Sequence, residues 1–132
     1  MLSKLRRIFV YDPDYPKPRL QEGEDIILEG IAELTRGLHG SRLGTLILTN
    51  RRLIWYETAF IWPLKKISGQ LNVSEVVSVD KGTWFDFIFG GRRLRLRLRN
   101  GKDKCLWEGQ GRLDEWIATI GRTIASQYPR SR

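Results

Sequence analysis

The chain has 132 residues, 41% hydrophobic and 29% charged, which suits one domain with a packed core and excludes wholesale disorder. Twenty-three Lys and Arg against fifteen Asp and Glu leave +8 at pH 7, an excess that draws the chain toward nucleic acid, acidic lipid headgroups or an acidic protein without choosing among them. Cys105 is the single cysteine, so an intrachain disulfide is excluded and a reducing, cytoplasmic home is the simple reading.

The first segment, "MLSKLRRIFVYDPDYP", has basic residues but no long apolar core and no small-residue cleavage site, so it does not read as a signal peptide. Apolar runs such as "AFIW" are too short to span a bilayer, and any membrane contact is expected to be peripheral. Leu2, Leu5, Ile8 and Phe9 fall near helical spacing beside Lys4, Arg6 and Arg7, and "DPDYPKP" then breaks any helix. Residues 1–22 are therefore set apart as an N-terminal arm, either a tether, a membrane-touching helix or a segment packed on the body. The body runs over 23–128, and 129–132 form a short tail.

From Asp25 the chain reads as consecutive strands. "IILEGIAEL" comes first, and "LGTLILTNRRLIWYE" follows as two apolar runs around a turn at Asn50-Arg51. "LNVSEVVSV", "WFDFIF", "RLRLRLR" and "KCLWE" complete seven. Gly90-Gly91 and Asn100-Gly101 are strong two-residue hairpin signals. With two-residue loops, Leu96 opposes Phe85 and Cys105, Arg97 opposes Trp84 and Lys104, and Arg99 opposes Lys102. Phe85, Phe87, Leu94, Leu96, Cys105 and Trp107 then form the core face, leaving Cys105 inert. The outer face carries Arg93, Arg95, Arg97, Arg99, Lys102 and Lys104 against Asp86 and Glu108, with like charges opposed near the Asn-Gly turn. Two readings stay open: a solvated, aggregation-resistant face, or a contact for an anion or acidic partner. In "GRLDEWIATIGRTIASQY" the period changes. Leu113, Trp116, Ile117, Ile120 and Ile124 line one helix face, and Asp114 and Glu115 sit in the first turn, where the helix dipole favours acid.

"EGEDIILEGIAEL", "GTLILTNRRLIWYE", "LNVSEVVSVDKG", the basic strands and the helix from "LDEWIATI" together resemble the pleckstrin-homology (PH-like) superfamily over roughly residues 20–127. The Thr-Asn-Arg-Arg-Leu hairpin is similar to the GRAM branch, and "GTLILTNRRLIW" also looks like the GLUE domain of endosomal sorting adaptors. The resemblance implies a mostly β fold with one C-terminal helix: seven antiparallel strands in a barrel or sandwich of four and three, capped by that helix. It implies a binding module for phosphoinositides and acidic lipids or for proteins, with ubiquitin among the partners of the GLUE branch. It further implies that loops 36–42, 58–69 and 99–102 gather at one open end. The candidate anion-binding residues are Arg36, Arg42, Lys65, Lys66, Arg97, Arg99, Lys102 and Lys104, and Phe60 and Trp62 are the candidate membrane contacts. The sequence departs from the phosphoinositide-binding pattern in its first two strands, where Glu29 and Glu33 and then Arg42, Gly44 and Thr45 stand, so the usual headgroup pocket is not evident.

Catalytic chemistry has little material. His39 is the sole histidine, no Walker or GxGxxG motif is present, "GQG" at 109–111 reads as a strand-to-helix link, and no nucleophile stands with a base. No metal, cofactor or enzymatic activity is expected. Nucleic-acid binding is the weaker alternative, because the charges crowd one end instead of tracking a groove.

Overall fold

The structure is a computed structural model that describes residues 9–11, 19–35, 42–57, 59–61, 68–81 and 93–127. In chain order its elements are β1 (Phe9–Tyr11), β2 (Ile26–Thr35), β3 (Arg42–Thr49), β4 (Arg52–Glu57), β5 (Ala59–Ile61), β6 (Ser68–Asn72), a 3-10 turn (Val73–Glu75), β7 (Val76–Asp80), β8 (Arg93–Leu98), β9 (Asp103–Glu108) and α1 (Leu113–Gln127). Seven of the strands form one antiparallel sheet in the order β6-β4-β3-β2-β9-β8-β7. Strands β2 and β9 are joined only at Ala32–Glu108 and Glu33–Trp107. The sheet therefore divides into a half of four strands and a half of three, meeting at a narrow corner, as a PH-like sandwich requires.

Period-two patterning closes the space between the halves. Leu28, Ala32 and Leu34 from β2, Leu46 and Leu48 from β3, Leu53 and Trp55 from β4, and Leu94, Leu96 and Leu106 from β8 and β9 make one core. Helix α1 plugs it with Trp116 and Ile120, and Leu113, Ile117 and Ile124 pack beside them. That is the helical face expected from the sequence. Glu108 prepares the helix entry: its carboxylate, buried at the end of β9, accepts the amides of Gln110 and Arg112 at 2.7 Å each. The Arg112 amide, directly before the first helical residue, otherwise has no intrahelical partner.

The "TNRR" stretch is an anchoring device. Thr49 Oγ1 accepts the amides of Arg51 and Arg52 at 3.1 and 3.0 Å, which closes the turn between β3 and β4. Asn50 accepts the Asp25 amide at 2.9 Å and donates to the Gly23 carbonyl at 3.0 Å. Arg52 reaches back to Glu24 with Nε–Oε2 at 2.8 Å and Nη2–Oε1 at 2.9 Å, and the Thr49 hydroxyl donates to the same carboxylate at 2.6 Å. The segment entering β2 is thereby fastened to the hairpin tip, so the motif serves the fold.

Three expectations are corrected. The run "LNVSEVVSV" is not one strand: the 3-10 turn divides it into β6 and β7, which lie at opposite ends of the strand order. Strand β8 lies between β9 and β7, with Leu96 opposite Val79 and Arg95 opposite Asp80, so Phe85 and Trp84 are not its partners there. The segment "WFDFIF" and the Gly90-Gly91 turn lie outside the described residues.

The third correction concerns the β8–β9 hairpin. Its loop has three residues, not two: Leu98 N donates to Lys102 O at 2.9 Å, Gly101 N donates to Leu98 O at 3.0 Å, and Gly101 takes φ +84°. A three-residue loop with glycine in the left-handed region is the next common hairpin closure after two-residue turns. The register then pairs Leu96 with Lys104, Arg95 with Cys105, Leu94 with Leu106 and Arg93 with Trp107. A one-residue slip exchanges the faces of a strand. Leu106 enters the core, while Cys105 and Trp107 share the outer face with the arginines and are half-buried.

Candidate anion-binding site

The corrected register redraws the charged face. Across β7, β8 and β9 it carries Arg93, Arg95 and Arg97 against Asp80 and Asp103, three cations to two carboxylates. Arg95 is committed: its Nε and Nη2 donate to Asp80 at 2.9 and 3.0 Å, and those bonds raise its pKa. Arg97 is exposed, opposite Asp103 on β9 and Ser78 on β7. Arg99 stands in the three-residue loop, where its Nε donates to Ser74 O at 2.7 Å and its amide to Glu75 O at 2.9 Å, tying the loop to the 3-10 turn. Lys102 is exposed, and its amide donates to Asn100 Oδ1 at 2.8 Å.

Lys104 lies on the opposite face from the arginines, facing Leu96, with Nζ 4.7 Å from the centre of the Trp55 ring. Burial lowers its pKa, and its stem is packing material as much as charge. Arg42 makes a bidentate pair with Glu57, Nε–Oε2 at 2.9 Å and Nη2–Oε1 at 2.6 Å. Glu57 is 1% exposed, so Arg42 neutralises a buried carboxylate. Phe60 belongs to β5, which pairs antiparallel with β1 as Phe9–Ile61, Val10–Phe60 and Tyr11–Ala59, a two-stranded sheet separate from the seven-stranded one. Arg36, Trp62, Lys65 and Lys66 lie outside the described residues. So does most of the expected gathering of loops. The strand ends that flank 36–41 and 58–67 adjoin by register, through Thr35–Arg42, Gly44–Glu57 and Tyr56–Ser68.

Beside the β8–β9 loop is a depression of about 400 Å³ lined by Val77, Arg97, Leu98, Gly101 and Asp103. Val77 and Asp103 were missing from the sequence-based set. Val77 sits where the β7–β8 pairing slips, between Val76–Leu98 and Ser78–Arg97, and this bulge leaves its side chain 55% exposed. A bulge carries no residue-type signature in "VSEVVSVD". Asp103 was hidden by the register error. Among the described residues no group of three His, Cys, Asp or Glu could hold a metal ion, and no helix is long and apolar enough to cross a membrane.

No family model matches the sequence, and no curated protein matches it. Solved structures do. A crystal structure of the C-terminal domain of an unknown protein from Leishmania infantum aligns with TM-score 0.61 at 11% identity, covering 94% of this chain and 97% of that one. The DH/PH domains of PDZ-RhoGEF, in complex with GTP-gamma-S activated RhoA, align with TM-score 0.58 at 10% identity over 80% of this chain. Linker-DH/PH domains of p115-RhoGEF align with TM-score 0.58 at 15% identity over 98% of it. The fold is PH-like. The PH-like chain spans only 31% and 37% of the two RhoGEF chains, and identities this low speak to architecture alone.

Proposed function

We propose that this PH-like chain is a non-enzymatic binding module that attaches peripherally to acidic phospholipid surfaces. One observation carries the reading. The chain carries +8, and Arg97, Arg99 and Lys102 stand exposed at the β8–β9 loop. Exposed cations on a chain of high net positive charge are the distribution expected of a module that meets an anionic surface.

In this reading Arg36, Lys65 and Lys66 meet lipid phosphates and Phe60 and Trp62 lie at the headgroup level. Arg97, Arg99 and Lys102 supply a second set of cations at the β8–β9 loop. Arg42 and Lys104 contribute less, because Glu57 and Trp55 already hold them. Each cation near an anionic bilayer is worth about 1 kcal/mol, so several give useful, salt-sensitive binding. Vesicle sedimentation tests it: binding should rise with the fraction of acidic lipid, fall with salt, and drop at least about thirtyfold in Lys65→Glu/Lys66→Glu, which removes two cations and adds two anions. Binding indifferent to lipid charge and to that variant removes the reading. Amide shifts on titration with ubiquitin, without vesicle binding, would favour the GLUE-like protein-binding alternative in its place.

A further inference from the structure

The outer face of the three-stranded half shows two cation–carboxylate rows that differ in one respect. In the row Asp80–Arg95–Cys105, the guanidinium and carboxylate are locked together by two hydrogen bonds. In the next row, Ser78–Arg97–Asp103, the two opposite charges face each other across adjacent strands, and no hydrogen bond or ion pair joins them among the described residues. Both residues line the depression of about 400 Å³, together with the exposed Val77, Leu98 and Gly101. Asp103 argues against a site for a bare polyanion, since its carboxylate would repel a phosphate brought to Arg97. The same pair suits a ligand that is itself dipolar.

We propose that this depression binds a phosphoethanolamine-type group, with its phosphate on Arg97, its ammonium on Asp103, and its two-carbon linker against Val77 and Leu98. The volume is at the lower end of those that hold small ligands. Cross-strand partners have Cβ atoms about 5 Å apart, a separation that an ammonium and a phosphate on adjacent carbons can bridge. The proposal deepens the reading of the chain as a lipid-binding module and rests on it. It adds a zwitterionic headgroup held by Arg97 and Asp103 beside the β8–β9 loop to the attraction that the chain's cations have for an acidic surface.

The test titrates ¹⁵N-labelled full-length protein with O-phosphoethanolamine, and separately with inorganic phosphate and with ethanolamine. Phosphoethanolamine should shift the amides of Val77, Arg97, Gly101 and Asp103, with each half-molecule at least about tenfold weaker. Arg97→Gln and Asp103→Asn should each weaken binding about tenfold, the loss of one charge-assisted contact. Both side chains are exposed, so the dispersion of the remaining amides verifies the fold. The sign at Asp103 is decisive: at a simple anion site, removing that carboxylate tightens binding. Tighter binding in Asp103→Asn, equal response to inorganic phosphate, or no shift at these amides overturns the proposal. Neutral vesicles of phosphatidylcholine with and without phosphatidylethanolamine decide the source, since only a lipid headgroup site retains more protein on the vesicles that contain phosphatidylethanolamine. Acidic-vesicle sedimentation stands apart: if it succeeds while phosphoethanolamine fails, this site is wrong and the module reading survives.

Discussion

Replacing Glu24 with glutamine removes a charge from a nearly sealed network while keeping its shape. Glu24 is 5% exposed, and its carboxylate accepts two bonds from Arg52, one from Thr49 and one from the Gln21 amide. The Arg52 hydrogen bonds, then those from Thr49 and Gln21, outweigh the opposing effect of burial and hold the carboxyl pKa at about 2, below 4.5. That fall corresponds to about 3 kcal/mol, within the 3–5 kcal/mol expected when one member of a buried pair is removed. Because the folded-state pKa is the depressed one, the contribution is complete above pH 4.5 and is lost as pH falls toward 2. About 2 kcal/mol of it is gone by pH 3. Urea unfolding followed by tryptophan fluorescence should therefore show Glu24→Gln about 3 kcal/mol less stable at pH 7, with a gap of only about 1 kcal/mol at pH 3. Arg52→Met should cost a similar amount, because it strands the carboxylate. The double replacement Glu24→Leu/Arg52→Met should recover much of the loss, since it leaves no buried charge alone. A cost below about 1 kcal/mol at pH 7, or a gap that does not narrow in acid, would refute the claim that this pair fastens the chain entering β2.

Three other outcomes follow from the register and the packing. Cys105 should react with a small neutral thiol reagent in the native state, whereas Leu106→Ala should cost about 2–5 kcal/mol; a protected thiol and a tolerant Leu106 would restore the two-residue loop. Gly69→Ala should destabilise by about 1–3 kcal/mol, since the added methyl would stand 2.6 Å from the Trp55 ring, and loss of Trp55 fluorescence anisotropy would report the displaced indole. Lys104→Met should change stability by less than about 1 kcal/mol at pH 7, the stacking on Trp55 and the cost of burying the ammonium being of similar size. Because burial lowers the lysine pKa in the folded state below 10.5, the unsubstituted protein should gain on this variant as pH rises toward 10.5, measured by urea unfolding.

Much of the architecture was legible because it is local. Alternation of apolar and polar residues marked β2, β3, β4, β8 and β9, and the period of 3.6 marked α1 with its buried Trp116 and Ile120. The Asn50-Arg51 turn and the strand-to-helix link at 109–111 were readable for the same reason. Composition alone set the +8 charge and its pull toward anions.

Register, partner choice and face were decided by the tertiary structure. Asn100-Gly101 satisfies either a two-residue turn or a three-residue loop, and the preference for burying Leu94, Leu96 and Leu106 together selects the latter. That single residue sends Lys104 toward the Trp55 ring, turns Cys105 to the outer face and sets Asp103 against Arg97. Which arginines are already held depends on carboxylates distant in sequence: Glu57 for Arg42, Glu24 for Arg52 and Asp80 for Arg95. Such pairings depend on distances of a few ångströms that only packing creates, whereas hydrophobic periodicity is written along the chain itself.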